Sequence, residues 1–185
     1  MIEISKNTGT GLDYENALFV IKSISTDESR PFMCVVHAEE TETGSRLVCT
    51  DGRRLHHAEI AQKIPTGEYK PLITKIAVYL KGPVDEGQFP NWQRVIPENG
   101  TDRGIINLEK TSIGRNLSQN AGFSIAFSQI IEKTGEVVNI RYLEDLPKTE
   151  WKVLSSEEKN RPLVFKRQVS GREIVAVIMP MIGAA

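Results

Sequence analysis

The sequence is poor in everything that would staple a chain, thread it through a membrane or give it one dominant charge. Its 185 residues hold two cysteines, Cys34 and Cys49, too few for a disulfide framework. Both lie in apolar runs, Met33-Cys34-Val35-Val36 and Leu47-Val48-Cys49, and read as small buried hydrophobes of a reducing compartment. No apolar stretch approaches the ~18 residues of a membrane helix, and Met1-Ile2-Glu3-Ile4 lacks the basic start and apolar core of a signal peptide. A cytoplasmic protein with no membrane partner is therefore expected. Charge of one sign is also missing: 23 Lys and Arg stand against 24 Asp and Glu, for a formal net charge of -1. That removes the simplest electrostatic case for a nucleic-acid coat, although a neutral total leaves room for a local basic face.

Catalytic frames are absent as well. The three histidines, His37, His56 and His57, form no metal frame such as H-E-x-x-H, and the adjacent pair would alternate faces on a strand. There is no G-x-S-x-G elbow and no sequence partner to activate either thiol. Gly9-Thr10-Gly11 before a helix lacks both the Lys-Ser/Thr of a phosphate loop and the spacing of a dinucleotide fingerprint, so it reads as a flexible turn. The expectation is a protein that is not an enzyme, with no cofactor and no metal.

What is present is enough for one globular domain of 1–185. Breakers cluster at Asn7 to Gly11, Gly82 to Gly87, Pro97 to Gly104 and Glu157 to Pro162, and the third cluster divides the chain into halves of about 1–97 and 98–185. In the first half, Asp13 can cap a helix running to about Ser25, with Ala17, Leu18, Ile21 and Ile24 on one stripe. Strand-like runs follow at Phe32 to Ala38, Arg46 to Thr50 and Leu55 to Ile60, and Lys70 to Leu80 leans towards strand. In the second half, Ile105 to Leu108 reads as a short strand. A helix over Phe123 to Lys133 then carries Phe123, Phe127, Ile130 and Ile131 and ends at Gly135. Further strands are expected at Val137 to Leu143, Trp151 to Ser155, Pro162 to Arg167 and Glu173 to Met179. Helix then strands, twice, is an α+β pattern with antiparallel sheet.

Three segments have unusual local chemistry. Cys49-Thr50-Asp51-Gly52-Arg53-Arg54-Leu55 places an Asp-Gly turn between two strand-like runs. Phe89-Pro90-Asn91-Trp92-Gln93-Arg94-Val95-Ile96-Pro97 brackets an aromatic and an arginine with prolines, which suits an extended connector better than a helix. Val175-Ala176-Val177-Ile178-Met179-Pro180-Met181 runs a strand into a proline that ends its ladder, flanked by two flexible thioethers. Taken singly, the first reads foremost as a hairpin turn and the third as core filler, while the second reads equally as a packed crossover or a binding segment.

In this order the three segments resemble the bacterial sliding clamp, the beta subunit of DNA polymerase III. Asp27-Glu28-Ser29-Arg30-Pro31 between the first helix and a strand, and Gly122-Phe123-Ser124 entering the second helix, are similar to clamp segments too. The resemblance implies a DNA-clamp-like fold, in which each domain pairs two helix-plus-antiparallel-strands halves with pseudo-twofold topology. In the family, six such domains form a ring, helices line a hole filled with double-stranded DNA, and a full subunit has three domains where this chain has room for one.

The resemblance also implies a groove for short peptides of polymerases and clamp loaders. Here it would use Thr50, Gly52, Arg53, Arg54 and Leu55, then Pro90, Arg94 and Val95, then Val177, Met179, Pro180 and Met181. Apolar walls would come from Leu55, Val95 and Val177, adaptable anchoring from the methionines, and carbonyl or carboxylate contacts from Arg54 or Arg94. The chain departs from the family at Arg53, where many members carry His, and at Ile182-Gly183-Ala184-Ala185, where a basic and an apolar residue usually follow. Helix basicity is low: Lys22, Lys75 and Lys133 are the candidate DNA contacts. The implied function is a replication or repair accessory that binds partner peptides and meets DNA as a homo-oligomer. The alternative is a clamp-fold decoy or regulator that binds a partner without encircling DNA.

Overall fold

The computed structural model describes residues 1–97, 100–109 and 117–182, with the side chains of 117–123 excepted. Glu98 and Asn99 of the third breaker cluster, the Gly122 and Phe123 side chains of the second-helix opening, and Gly183-Ala184-Ala185 lie outside that description. The chain divides into two units, Met1–Trp92 with Gln168–Ile174, and Gln93–Arg167 with Val175–Ala185.

The first unit is organised by one helix, α1 (Leu12–Ile21). Its N-cap is Gly11 at φ 73, a left-handed position where an added Cβ would sit 2.9 Å from the Lys6 carbonyl oxygen, so glycine is required there. Asp13 is therefore not the cap. Its carboxylate instead accepts the backbone N–H of Ala61 and of Gln62 at 3.0 Å each and pairs with Arg172.

Further along α1, Asn16 Nδ2 donates to the Glu59 carbonyl at 2.8 Å, and His56 Nδ1 donates to the Phe19 carbonyl at 2.9 Å. Arg54 Nη2 donates to the Lys22 carbonyl at 2.7 Å. Ser23 Oγ accepts from His56 N at 3.1 Å and donates to the Cys49 carbonyl at 2.9 Å. Positions 13, 16, 19 and 22–23 recur once per helical turn on one face. Their partners run backwards through 61, 59, 56 and 54, which lays α1 antiparallel along one strand.

That strand is β4 (Arg54–Ile60). The others in this unit are β1 (Ile2–Ser5), β2 (Val36–Thr41), β3 (Gly44–Thr50), β5 (Gly67–Ile73) and β6 (Ala77–Val84), in the order β1-β6-β5-β2-β3-β4. The paired strands run antiparallel. Ile4, Ala17, Val20, Val35, Leu47, Val78 and Leu80 are fully buried and form the core between helix and sheet. Two expectations change here. The run beginning at Phe32 opens as a 3₁₀ turn, Pro31–Met33, because Pro31 presets helical φ at its first position. Lys70 to Leu80 is two strands, since Thr74 Oγ1 accepts the Ala77 N–H at 2.9 Å and turns the chain back. Cys34 is only half-buried, whereas Cys49 is fully buried and burial pushes its thiol pKa up.

The second unit contains β7 (Thr101–Asn107), α2 (Leu117–Thr134), α3 (Ile140–Glu144), β8 (Glu150–Ser155) and most of β9 (Leu163–Val169) and β10 (Arg172–Ile178), with sheet order β10-β9-β8-β7. Its core holds Ile106, Leu108, Ile130, Leu143, Leu146, Trp151, Val153, Phe165 and Val175, each fully buried. Gly135 ends α2 as expected, at φ 71, its N–H donating to Ile131 O at 2.8 Å. Ile131 itself is exposed, and Ala126 rather than Ile131 shares the buried face with Ile130. The strand expected over Val137 to Leu143 is not formed. Asn139 caps α3 by accepting the Arg141 N–H at 3.0 Å, and the turn drives Leu143 and Leu146 inward, which a strand of alternating faces would not do.

One buried group gives this fold a pH dependence. The His56 ring stacks on Phe19 at 4.3 Å, its Nδ1–H is committed to a carbonyl, and Nε2 is buried without a hydrogen-bond partner. Burial, joined by the nearby charges of Arg54 and Lys22, lowers its pKa from 6.5 to about 3. Above pH 6.5 neither folded nor unfolded His56 is charged. Below it the unfolded chain takes a proton that the folded one refuses, so stability falls by up to about 1.4 kcal/mol per pH unit until roughly pH 3. His56→Phe retains the stack and removes this contribution. Urea midpoints at pH 7 and pH 5 should fall further for the wild type than for the variant.

Candidate functional site

The Thr50-to-Leu55 segment is a tight turn between β3 and β4 in the first unit. Gly52 sits at φ 86, a conformation that favours glycine. Asp51 organises the turn: Oδ1 accepts the N–H of Arg53 at 2.9 Å and of Arg54 at 3.0 Å, and Oδ2 accepts Arg54 Nε at 3.0 Å. Thr50 Oγ1 donates to the Arg54 carbonyl at 2.8 Å and accepts the Gly52 N–H at 3.1 Å. A Cβ on Gly52 would lie 3.2 Å from Arg30 Nη1, which brings the Asp27-to-Pro31 turn beside this one. There the Ser29 hydroxyl, followed by Arg30, holds the Asp27 carboxyl below the usual carboxylate range. Arg54 thus spends its guanidinium on Asp51 and on the end of α1, Leu55 is buried, and Arg53 is exposed.

Pro90 lies in a segment of the same unit that is clamped on both sides. Phe89 stacks on His37 at 4.8 Å, and His37 contacts Glu68 at 3.1 Å and Glu39 at 3.3 Å. Trp92 Nε1 donates to Glu39 Oε1 at 2.9 Å, with the Arg46 guanidinium 5.7 Å from its ring centre and Arg46 paired to Glu59 at 3.1 Å. Aromatic faces over a cross-strand row of charges hold this segment down. It is not wholly extended as the prolines led us to expect. Trp92–Val95 forms a 3₁₀ turn, because burying Trp92 and reaching Glu39 requires the chain to curl.

In the second unit, Arg94, Val95 and Met179 line one cavity of about 430 Å³. Pro97 and a loop between β8 and β9, Ser156, Glu158, Asn160, Arg161 and Pro162, complete it. Met179 is 39% and Val95 40% exposed, so both offer apolar surface. β10 ends where Pro180 removes a donor, and the segment is retained by a bridge from Pro180 to Val138 and by Met181 N donating to Val137 O at 2.7 Å. Pro180 is buried and Met181 exposed, whereas Val177 is 2% exposed and belongs to the core.

Of the expected groove residues, then, Arg94, Val95 and Met179 share a cavity, Thr50 to Leu55 and Pro90 belong to the first unit, and Leu55 and Val177 present no open surface. The β8–β9 loop was missed, its only sequence signal being a cluster of breakers from Glu157 to Pro162. Asn160 adopts φ 61, and its N–H donates to Glu136 Oε1 at 2.8 Å. Lys22 and Lys75 are exposed, at the end of α1 and in the β5–β6 turn, while Lys133 is half-buried in the last turn of α2. Among the described residues no group of three or more His, Cys, Asp or Glu could hold a metal ion.

The Asp51 network makes the turn a unit of stability. Asp51→Ala leaves two backbone donors and Arg54 Nε without the Asp51 carboxylate and should cost about 1–2 kcal/mol in urea unfolding. A cycle with Arg54→Ala should show coupling of roughly 0.5–1 kcal/mol.

No protein-family model matches the sequence, and no curated protein matches it. Solved structures do. The DNA polymerase III beta subunit of Thermotoga maritima superposes with a TM-score of 0.65 at 16% identity, over 99% of this chain and 65% of that one. The sliding clamp of Pseudomonas aeruginosa gives 0.64 at 14% identity, over 98% and 66%, and that of Bacillus subtilis 0.64 at 14%, over 99% and 64%. This chain therefore spans about two thirds of the length of these clamps, and along nearly all of its own length it has the sliding-clamp fold.

Proposed function

We propose that this chain is a non-enzymatic, clamp-like accessory of DNA replication or repair whose groove takes short linear peptides from polymerase or clamp-loader partners. The observation that carries this reading is the cavity lined by Arg94, Val95 and Met179. These residues come from two segments far apart in sequence, and the clamp resemblance gives both to the groove. Apolar surface from Val95, Pro97, Pro162 and Met179 beside arginine suits an extended peptide with apolar anchors. In this proposal 1–185 is a single clamp-like domain, with halves of about 1–97 and 98–185 related by a pseudo-twofold, and it acts on DNA as a homo-oligomer in the cytoplasm. Fluorescence polarisation with a clamp-binding-type peptide should show saturable binding, weakened about tenfold in Met179→Ala with the fold unchanged by circular dichroism. No binding at millimolar protein overturns the groove.

A second reading, a clamp-fold regulator that binds a partner without encircling DNA, is favoured by one observation. α1 carries Asp13 and Glu15 in its first turn and no basic residue in its last, and Lys133 is the only basic residue in the last turn of α2. Phosphate contact requires basic surface, and its affinity falls steeply with salt. Light scattering after gel filtration decides between the readings. A ring-sized oligomer with salt-dependent DNA binding supports encirclement, whereas a monomer or dimer indifferent to DNA supports the regulator.

A further inference from the structure

On the first unit's sheet, a histidine stands between two acceptors. His37, Val48 and His57 oppose one another across β2, β3 and β4, so His37 lies on the face turned away from α1, which His56 meets from the other side. Glu68 Oε1 of β5 is 3.1 Å from His37 Nδ1, and Glu39 Oε1 of β2 is 3.3 Å from Nε2. An ionised carboxylate only accepts, and a neutral imidazole has a single N–H. Both contacts are therefore hydrogen bonds only when the ring carries both protons. The His37, Glu68 and Glu39 side chains are 16%, 24% and 25% exposed, so water screens these contacts only in part.

The same proton reaches both anchors of the segment that leads out of this unit, Gly87 to Trp92. Phe89 stacks on the His37 ring, and a charged ring is held there more strongly than a neutral one. Trp92 Nε1 donates to Glu39 Oε1, the oxygen that also faces His37 Nε2. The Glu39 contact is the longer of the two, so it is the one a neutral ring gives up. A lone pair then faces Oε1 and pushes the Trp92 acceptor aside. We propose that His37 is a proton-operated latch, which fastens Phe89 to Trp92 onto the sheet when its ring is doubly protonated and loosens them when it is neutral. The other charges around it come from each neighbouring element. Arg46 of β3 lies 3.7 Å from Glu39 and 3.1 Å from Glu59 of β4, His57 of β4 lies against Trp92 at 5.1 Å, and Lys70 of β5 is taken by Glu86. Glu39, Glu59 and Glu68 against the single Arg46 leave a negative surrounding, which favours the charged ring. The latch is closed on the acidic side and opens as pH rises through the histidine range.

Ring nitrogen shifts of the isotopically labelled full chain, followed by NMR from about pH 8.5 down to about pH 5, test this. His56, lowered to about 3, stays neutral over that range and is the internal reference. His37 should gain its second ring proton as pH falls. The Trp92 indole N–H and the amides of Gly87 to Trp92 should shift with the same midpoint. Glu68→Gln should weaken proton binding at His37 about threefold. His37→Phe keeps a ring on Phe89 and should abolish the pH response of the segment. Urea midpoints confirm that each variant is folded. A His37 ring that titrates without any response from Gly87 to Trp92 overturns the latch. So does a response that survives in His37→Phe, or a proton affinity unmoved by Glu68→Gln.

Discussion

The first unit depends on the polar seam between α1 and β4. A ten-residue helix is marginal alone, and its apolar face supplies adhesion without register. Register comes from Asp13, Asn16, the Phe19 carbonyl, the Lys22 carbonyl and Ser23, each joined to β4 or to the residues just after it. Each such bond adds only about 1 kcal/mol net, yet a one-residue slip would leave several buried donors and acceptors unmet at about 1–3 kcal/mol apiece. That asymmetry fixes the helix to a single position. It also explains why His56 is held neutral inside the protein, since its Nδ1–H is one of the links.

The seam's last link is Arg54, which ties the Asp-Gly turn to the end of α1. A residue that the clamp resemblance gives to the groove is thus committed to local structure, and the same holds for buried Leu55 and Val177. The second unit distributes its resources differently. Pro180 stops the sheet ladder and leaves Met179 and Met181 at the surface, where unbranched thioethers can adapt to different anchors. Under the proposed function, that adaptable surface of the second unit is the part a peptide would meet.

Much of the fold was legible because periodicity and turn chemistry agreed. The β3 and β4 runs flank an Asp-Gly turn, and Gly135 stops α2 as its left-handed conformation predicts. Misreadings arose where side chains outside the apolar pattern decided the outcome. Gly11 rather than Asp13 begins α1, because Asp13 is recruited by Ala61 and Gln62, nearly fifty residues away. Val137, Val138 and Ile140 look like strand by composition, but the Asn139 cap turns the chain into α3. At the site, Arg94, Val95 and Met179, which the resemblance gives to the groove, line the cavity, whereas no motif in the sequence pointed to Glu158 and Arg161. Nothing in a breaker cluster says which of its charges will face a cavity, since that depends on the loop conformation set by Asn160 and Glu136.

The central claim is that a peptide occupies the surface formed by Arg94, Val95, Met179 and the Ser156-to-Pro162 loop. The most direct measurement is an amide chemical-shift map of the isotopically labelled protein titrated with an anchor-bearing peptide. Saturating shifts concentrated at Gln93 to Ile96, Ser156 to Arg161 and Met179 to Met181 are predicted. Shifts confined to other surfaces, or none at saturating peptide, would contradict it.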